Sequence, residues 1–164
     1  MGSWKQWGRA ALTAAALAVV LDLLGAGRIQ VTAYALSCPG LPEAFSGLKI
    51  ALITDLHGAF LEDGGQTLAR AAAGADLIAI SGDLFDRDTH LEQVIPAIRS
   101  LCRMAPVYYV SGNHEWTVEG RREVWAQMEE AGAILLDHRW VTLERQGASI
   151  TPVSYTHLTL PTKL

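Results

Sequence analysis

The sequence has few cysteines and no excess of positive charge. Its two cysteines, Cys38 and Cys102, are too few for a disulfide framework and lack the CxxC spacing of a zinc or redox site. A single bridge between them would matter only in an oxidising compartment. With 13 basic and 17 acidic residues the net charge is -4, whereas proteins that bind the nucleic-acid backbone carry basic surfaces. No nucleic-acid partner is therefore expected.

A long apolar run near the amino terminus predicts a membrane segment. Residues 10–26 are mostly alanine, valine and leucine, which is close to the lower limit of about 17 residues for a spanning helix. The charged residue Asp22 makes the run less favourable in a membrane. The alternative interpretations of the run are a signal peptide cleaved near Ala35 and a buried core helix. Tryptophans and basic residues precede it: Trp4, Lys5, Trp7 and Arg9. They favour an anchor within residues 1–28, with a cytoplasmic amino end and the soluble part outside the cytoplasm.

The rest of the chain alternates between strand and helix patterns. Residues 29–47 contain prolines and glycines and are predicted to be a linker, before a domain over residues 48–152. Apolar runs predict strands at 48–54, 76–81 and 106–111, with shorter strands at 134–136 and 140–144. Helical spacing predicts helices at 66–73, 91–103 and 120–131. This order predicts an α/β fold in which the first three strands are parallel neighbours.

Each of these three strands ends in residue types that bind metal ions. The first is followed by Asp55-Leu56-His57, the second by Gly82-Asp83-Leu84-Phe85-Asp86, and the third by Gly112-Asn113-His114-Glu115. Because the carboxyl ends of parallel strands meet at one edge of a sheet, the three clusters are expected to share one crevice. Alternate residues of an extended Asp-x-His segment point the same way, so Asp55 and His57 can hold one ion. The sequence therefore predicts a metal site at this edge.

Four other polar residues are not predicted to be ligands. Asp86 fits a helix or turn cap as well as it fits a group that supports a ligand. Glu115 fits a local ion pair as well as it fits a supporting group. His90 precedes a predicted helix and His138 lies in a predicted turn, so both are expected to face solvent.

The three motifs, in this order, resemble the first three signatures of the calcineurin-like metallophosphoesterase family. The resemblance covers roughly Leu48 to Trp140. The segment before the first motif is similar to the corresponding part of bacterial membrane-associated members. The resemblance implies the amino-terminal half of a four-layer αββα sandwich, here preceded by one hydrophobic helix. Such a half domain is expected to leave one apolar face of its sheet uncovered.

The resemblance also implies a dinuclear metal centre that hydrolyses phosphate monoesters or diesters. It implies that Asp55 and His57 bind the first metal, Asp83 bridges both metals, Asn113 binds the second, and His114 is the catalytic residue. Two cations polarise a phosphoryl oxygen and activate a water, and a neighbouring histidine can protonate the leaving alkoxide. Mixed nitrogen and oxygen ligands suit manganese, iron or zinc. The alternative is a membrane-tethered, non-catalytic domain that keeps the fold for binding.

Two later signatures of the family, a histidine and a Gly-His-x-His motif, have no counterpart in the sequence. The only histidine after His138 is His157, inside residues 153–164. That segment resembles the in-frame translation of a transposon-end adapter used in preparing sequencing libraries; an alternating strand is the other interpretation. The native residues are expected to end near Pro152. The fragment is then expected to be nearly inactive, and the phosphoesterase activity is assigned to the parent protein.

Overall fold

The computed structural model of the protein describes residues 29–137, residue 139 and residues 141–151. The elements it describes belong to one unit that begins at Val31. The predicted anchor in residues 1–28, the predicted tail at 153–164, and His138 lie outside the described residues. Within the described part of the chain, no helix combines the length and the apolar character needed to cross a membrane.

A four-stranded parallel sheet forms the centre of the fold. Its strands are β1 (Ile50–Ile53), β2 (Leu77–Ser81), β3 (Val107–Val110) and β4 (Ile134–Leu135), hydrogen-bonded in that order. The helices between them are α1 (Gln66–Ala71), α2 (Val94–Cys102) and α3 (Arg121–Glu130). The predicted α/β fold with parallel neighbouring strands is confirmed. The strands and helices are slightly shorter than predicted, and the segment predicted as one helix from residue 91 begins as a 3-10 turn, Leu91–Gln93.

The structure adds three elements that the sequence did not predict, one of them a 3-10 turn after β3, Glu115–Thr117. The predicted linker contains a short 3-10 turn, Glu43–Phe45, whose Phe45 side chain is buried. The predicted last strand is β5 (Leu143–Arg145), and it pairs in antiparallel fashion with an unexpected β6 (Ala148–Ile150). The two turn residues, Gln146 and Gly147, have φ values of 50° and 81°, which is the left-handed backbone that a tight hairpin requires.

The two faces of the parallel sheet differ sharply in exposure. Because the strands advance in one direction across the sheet, right-handed crossovers place all three helices on the same face. On that face Ile80 and Tyr109 are at most 1% exposed, and Val94 and Ile98 of α2 are 0% exposed. On the opposite face of β1, Ile50 is 56% and Leu52 is 67% exposed. In the described part of the chain, the sheet other than the parallel one is the two-stranded β5–β6 pair, and the face of β1 that carries Ile50 and Leu52 is open.

Candidate metal centre

The segment after β1 is held against the segment after β2 by main-chain hydrogen bonds. The Asp55 amide donates to Gly82 O at 3.2 Å, and the His57 amide donates to Asp83 O at 2.9 Å. The Gly58 amide continues the series with a bond to Leu84 O at 2.9 Å. These contacts extend the register of β1 and β2 beyond the last paired strand residues. They place Asp55 and His57 beside Asp83.

Three candidate ligands have backbone conformations that are unfavourable for residues with a side chain. The φ angles are 54° at Asp55, 47° at His57 and 52° at Asp83. Phe60 and Gln146 are the other non-glycine residues with positive φ in the described part of the chain. Such conformations cost on the order of 1–3 kcal/mol each and are concentrated at functional sites. The three residues lie just after β1 and β2, where the chain leaves the sheet.

Asp55, His57 and Asp83 form a compact cluster of potential ligand atoms. One atom from each lies within 4.8 Å of the others. The Thr54 hydroxyl donates to Asp55 Oδ2 at 2.6 Å, and the His114 amide donates to Asp83 Oδ1 at 3.0 Å. These bonds orient the two carboxylates. Two carboxylates and one imidazole, gathered at an exposed edge, fit a divalent cation with mixed oxygen and nitrogen ligands.

Asn113 and His114 lie beside this cluster on the loop after β3, and both are exposed. The ring of His114 meets the ring of His57 edge to face, with 4.6 Å between the ring centroids. Asn113 lies between His114, whose amide is bound to Asp83, and Gly112, whose amide is bound to Glu115. The structure therefore brings all five predicted site residues to one edge of the sheet.

Asp86 belongs to a second cluster, with His57 and His114, in which potential ligand atoms also lie within 4.8 Å of one another. Its Oδ2 lies 3.1 Å from His57 Nδ1, while its Oδ1 accepts bonds from the turn that follows it. Burial acts to raise the pKa of Asp86, but hydrogen bonds from Thr89, Asp88 and His57 outweigh it, so the net pKa is lowered. Asp86 is thus both a turn cap and a partner of a candidate ligand.

Glu115 is buried below the site and makes hydrogen bonds rather than an ion pair. It is 0% exposed. Its Oε2 accepts the amides of Asp83 and Gly112, both at 3.0 Å, and its Oε1 accepts Leu84 N at 2.7 Å and the Tyr109 hydroxyl at 2.9 Å. Burial raises the pKa of Glu115, while bonds from Leu84, Tyr109 and Gly112 oppose that shift. This carboxylate joins the loop of Asp83 to the loop of Asn113.

Two glycines allow these loops to approach closely. A Cβ atom on Gly112 would lie 2.6 Å from Asp83 N, and one on Gly82 would lie 2.8 Å from Gly112 Cα. Real Cβ atoms do not approach other heavy atoms so closely, so a larger residue at either position would push the loops apart. Both glycines are therefore required by packing, and Gly82, whose φ is 94°, is also required by its backbone conformation.

In the described part of the chain, His90 and the two cysteines are not members of either cluster of potential ligands. His90 is 75% exposed at its side chain and lies 3.6 Å from Glu92, which confirms that it faces solvent. The cysteines are both free, with Cys38 exposed and Cys102 half-buried. The roles of Asp86 and Glu115 were not resolved from sequence. The one sequence feature that pointed to the role of Glu115 is Tyr109. A tyrosine in a buried strand needs a hydrogen-bond partner for its hydroxyl, and in the structure Glu115 is that partner.

Comparison with known protein families identifies the same region. Residues 48–154, which include all three motifs, match the family described as calcineurin-like phosphoesterase. No curated protein matches the chain. The matched region contains the four parallel strands and every residue of the candidate centre.

Proposed function

Because the chain belongs to the calcineurin-like phosphoesterase family, we propose that its candidate centre holds two divalent cations and serves the hydrolysis of phosphate monoesters or diesters. The observation that carries the proposal is the cluster of Asp55, His57 and Asp83, whose potential ligand atoms lie within 4.8 Å. Manganese, iron and zinc all suit this donor set. When bound, the two cations would polarise the phosphoryl group and activate a water molecule.

Each residue of the candidate centre has a proposed role that suits its chemistry. Asp55 and His57 would hold the first cation. Asp83 has two carboxylate oxygens and lies between the loops after β1 and β3, so it can serve both cations. Asn113 can offer one neutral carbonyl oxygen to the second. His114 is exposed at the rim, where its imidazole can give a proton to the departing oxygen of the ester.

Removing the charge of Asp83 tests this arrangement most directly. Asp83→Asn keeps the shape of the side chain but removes the charge that both cations would share. We expect manganese affinity of the chain, measured by calorimetry, to fall at least about tenfold, or about 1.4 kcal/mol. The matched control, Asp88→Asn, changes an exposed aspartate in the neighbouring turn and should leave the affinity unchanged. Equal affinities in Asp83→Asn and the unmodified chain would contradict the proposed centre.

Hydrolysis itself is tested with an aryl phosphate monoester and diester in the presence of manganese. We expect little turnover by the chain alone, because the family's later histidine signatures would complete the second cation site. A longer form that carries those signatures should hydrolyse one or both substrates, and Asp83→Asn should remove most of that activity. A longer form that binds manganese but never hydrolyses either ester would favour the non-catalytic, membrane-tethered alternative.

The wider arrangement is also a proposal. The exposed Ile50 and Leu52 support a second sheet layer over this face, as in the four-layer family fold. A longer form whose structure still left Leu52 exposed would contradict it.

The apolar run at residues 10–26 supports a single-pass anchor with the centre outside the cytoplasm, because basic residues and tryptophans precede the run.

A further inference from the structure

The turn that follows Asp86 fixes the orientation of its carboxylate. Asp86 Oδ1 accepts the Asp88 amide at 3.1 Å and the Thr89 hydroxyl at 2.9 Å. The Thr89 hydroxyl oxygen in turn accepts the Asp86 amide at 3.0 Å. With Oδ1 held in the turn, Oδ2 points out of it and lies 3.1 Å from His57 Nδ1.

The same turn packs tightly against the chain next to His57. A Cβ atom on Gly58 would lie 2.6 Å from the Thr89 hydroxyl oxygen, so Thr89 fills the space behind this glycine. The side chain of Asp86 is 19% exposed, compared with 37% for His57. The carboxylate is therefore the more enclosed partner, and the imidazole is the one that reaches towards solvent.

A neutral imidazole has one nitrogen that carries a proton and one that can bind a cation. A carboxylate beside Nδ1 favours the form in which Nδ1 carries the proton, so that the lone pair is on Nε2. Histidines that bind metals commonly use their second nitrogen in this way.

We propose that Asp86 is a positioning residue, which holds His57 in the Nδ1-protonated form so that Nε2 faces the cation shared with Asp55 and Asp83. The proposal rests on the proposed function for the identity of the cation site. The tautomer of His57 can, however, be measured without any cation or substrate. Direct binding of the cation by Asp86 is the competing arrangement, since Asp86, His57 and His114 also cluster.

Asp86→Asn distinguishes these arrangements. The asparagine can keep the turn by accepting the Asp88 amide and the Thr89 hydroxyl with its only carbonyl oxygen. Its amino group then faces His57 Nδ1, which must become an acceptor, and the proton moves to Nε2. We therefore expect the substitution to reverse the tautomer of His57 and to block the nitrogen that binds the cation.

The first readout is nitrogen-15 NMR of the histidine side chains in the cation-free chain, recorded at a pH above which the spectrum no longer changes. The expected result is Nδ1 protonation of His57 in the unmodified chain and Nε2 protonation in Asp86→Asn. The matched control is Asp88→Asn, which makes the same chemical change two residues away and should leave His57 unchanged. An unchanged His57 tautomer in Asp86→Asn overturns the proposal.

The second readout is manganese affinity measured by calorimetry on the same three proteins. Loss of a group that orients a ligand lowers affinity by on the order of 10- to 100-fold, which we expect for Asp86→Asn only. Loss of affinity with no change of tautomer would assign Asp86 as a direct ligand and overturn the positioning role. Absence of manganese binding by the unmodified chain would count against the proposed function, whereas the tautomer measurement would still decide the role of Asp86.

Discussion

Glu115→Gln tests whether one buried carboxylate holds the candidate centre together. Each carboxylate oxygen accepts two hydrogen bonds, from Asp83 N and Gly112 N on one side and from Leu84 N and the Tyr109 hydroxyl on the other. These four donors fit the ionised form of the side chain. A glutamine has nearly the same shape, but one of its two ends is an amino group that can only donate.

The size of the effect follows from the number of bonds lost. Whichever way the glutamine amide is turned, two of the four donors face another donor. Hydrogen bonds to charged groups contribute about 1.5–3 kcal/mol each. Losing two of them should therefore lower the free energy of unfolding by about 3–6 kcal/mol. A domain is stable by only about 5–15 kcal/mol. We therefore expect a strongly destabilised protein, and complete unfolding if its stability lies at the low end of that range.

Urea unfolding followed by circular dichroism measures the change. For a slope of about 1–3 kcal/mol per molar urea, the midpoint should fall by at least about 1 M. The control is Glu119→Gln, an exposed glutamate four residues later, which should change stability by no more than about 0.5 kcal/mol. Hydrogen exchange should also become faster at the Asp83 and Gly112 amides if the amino group faces them. A Glu115→Gln protein within about 1 kcal/mol of the unmodified chain would refute the reasoning.

Two further predictions concern the glycine beside Asp83 and the membrane segment. Gly112→Ala should lower manganese affinity at least about tenfold, because the new Cβ would lie 2.6 Å from Asp83 N; Gly40→Ala, with open space around it, is the control. Equal affinities in the Gly112 and Gly40 variants would contradict the packing argument. A reporter fused after Trp140 should be active only outside the cytoplasm, and cytoplasmic activity would overturn the proposed topology. Loss of residues 1–35 from the mature protein would instead identify a cleaved signal peptide.

The sequence alone determined the order of the elements and the ends of the strands where polar residues gather. Apolar runs typical of strands, alternating with segments of helical periodicity, are sufficient to predict that neighbouring strands are parallel. Parallel strands bring their carboxyl ends to one edge of the sheet. Local patterns therefore predicted that Asp55, His57, Asp83, Asn113 and His114 would gather at this edge. The hairpin strand β6 was missed because it has only three residues, Ala148–Ile150, and follows a Gln-Gly turn rather than a stronger signal such as Asn-Gly.

Only the tertiary structure decided the roles of Asp86 and Glu115. Asp86 contacts His57 across 29 positions of the chain, and Glu115 contacts Asp83 across 32. No local pattern encodes such pairs, because the partner depends on how far each loop turns after its strand. That turn is set by the left-handed backbone of Asp55, His57 and Asp83 and by the contact of Gly112 with Asp83. The sequence thus supplied the side chains of the site, and the packing of the loops determined which of them support the others.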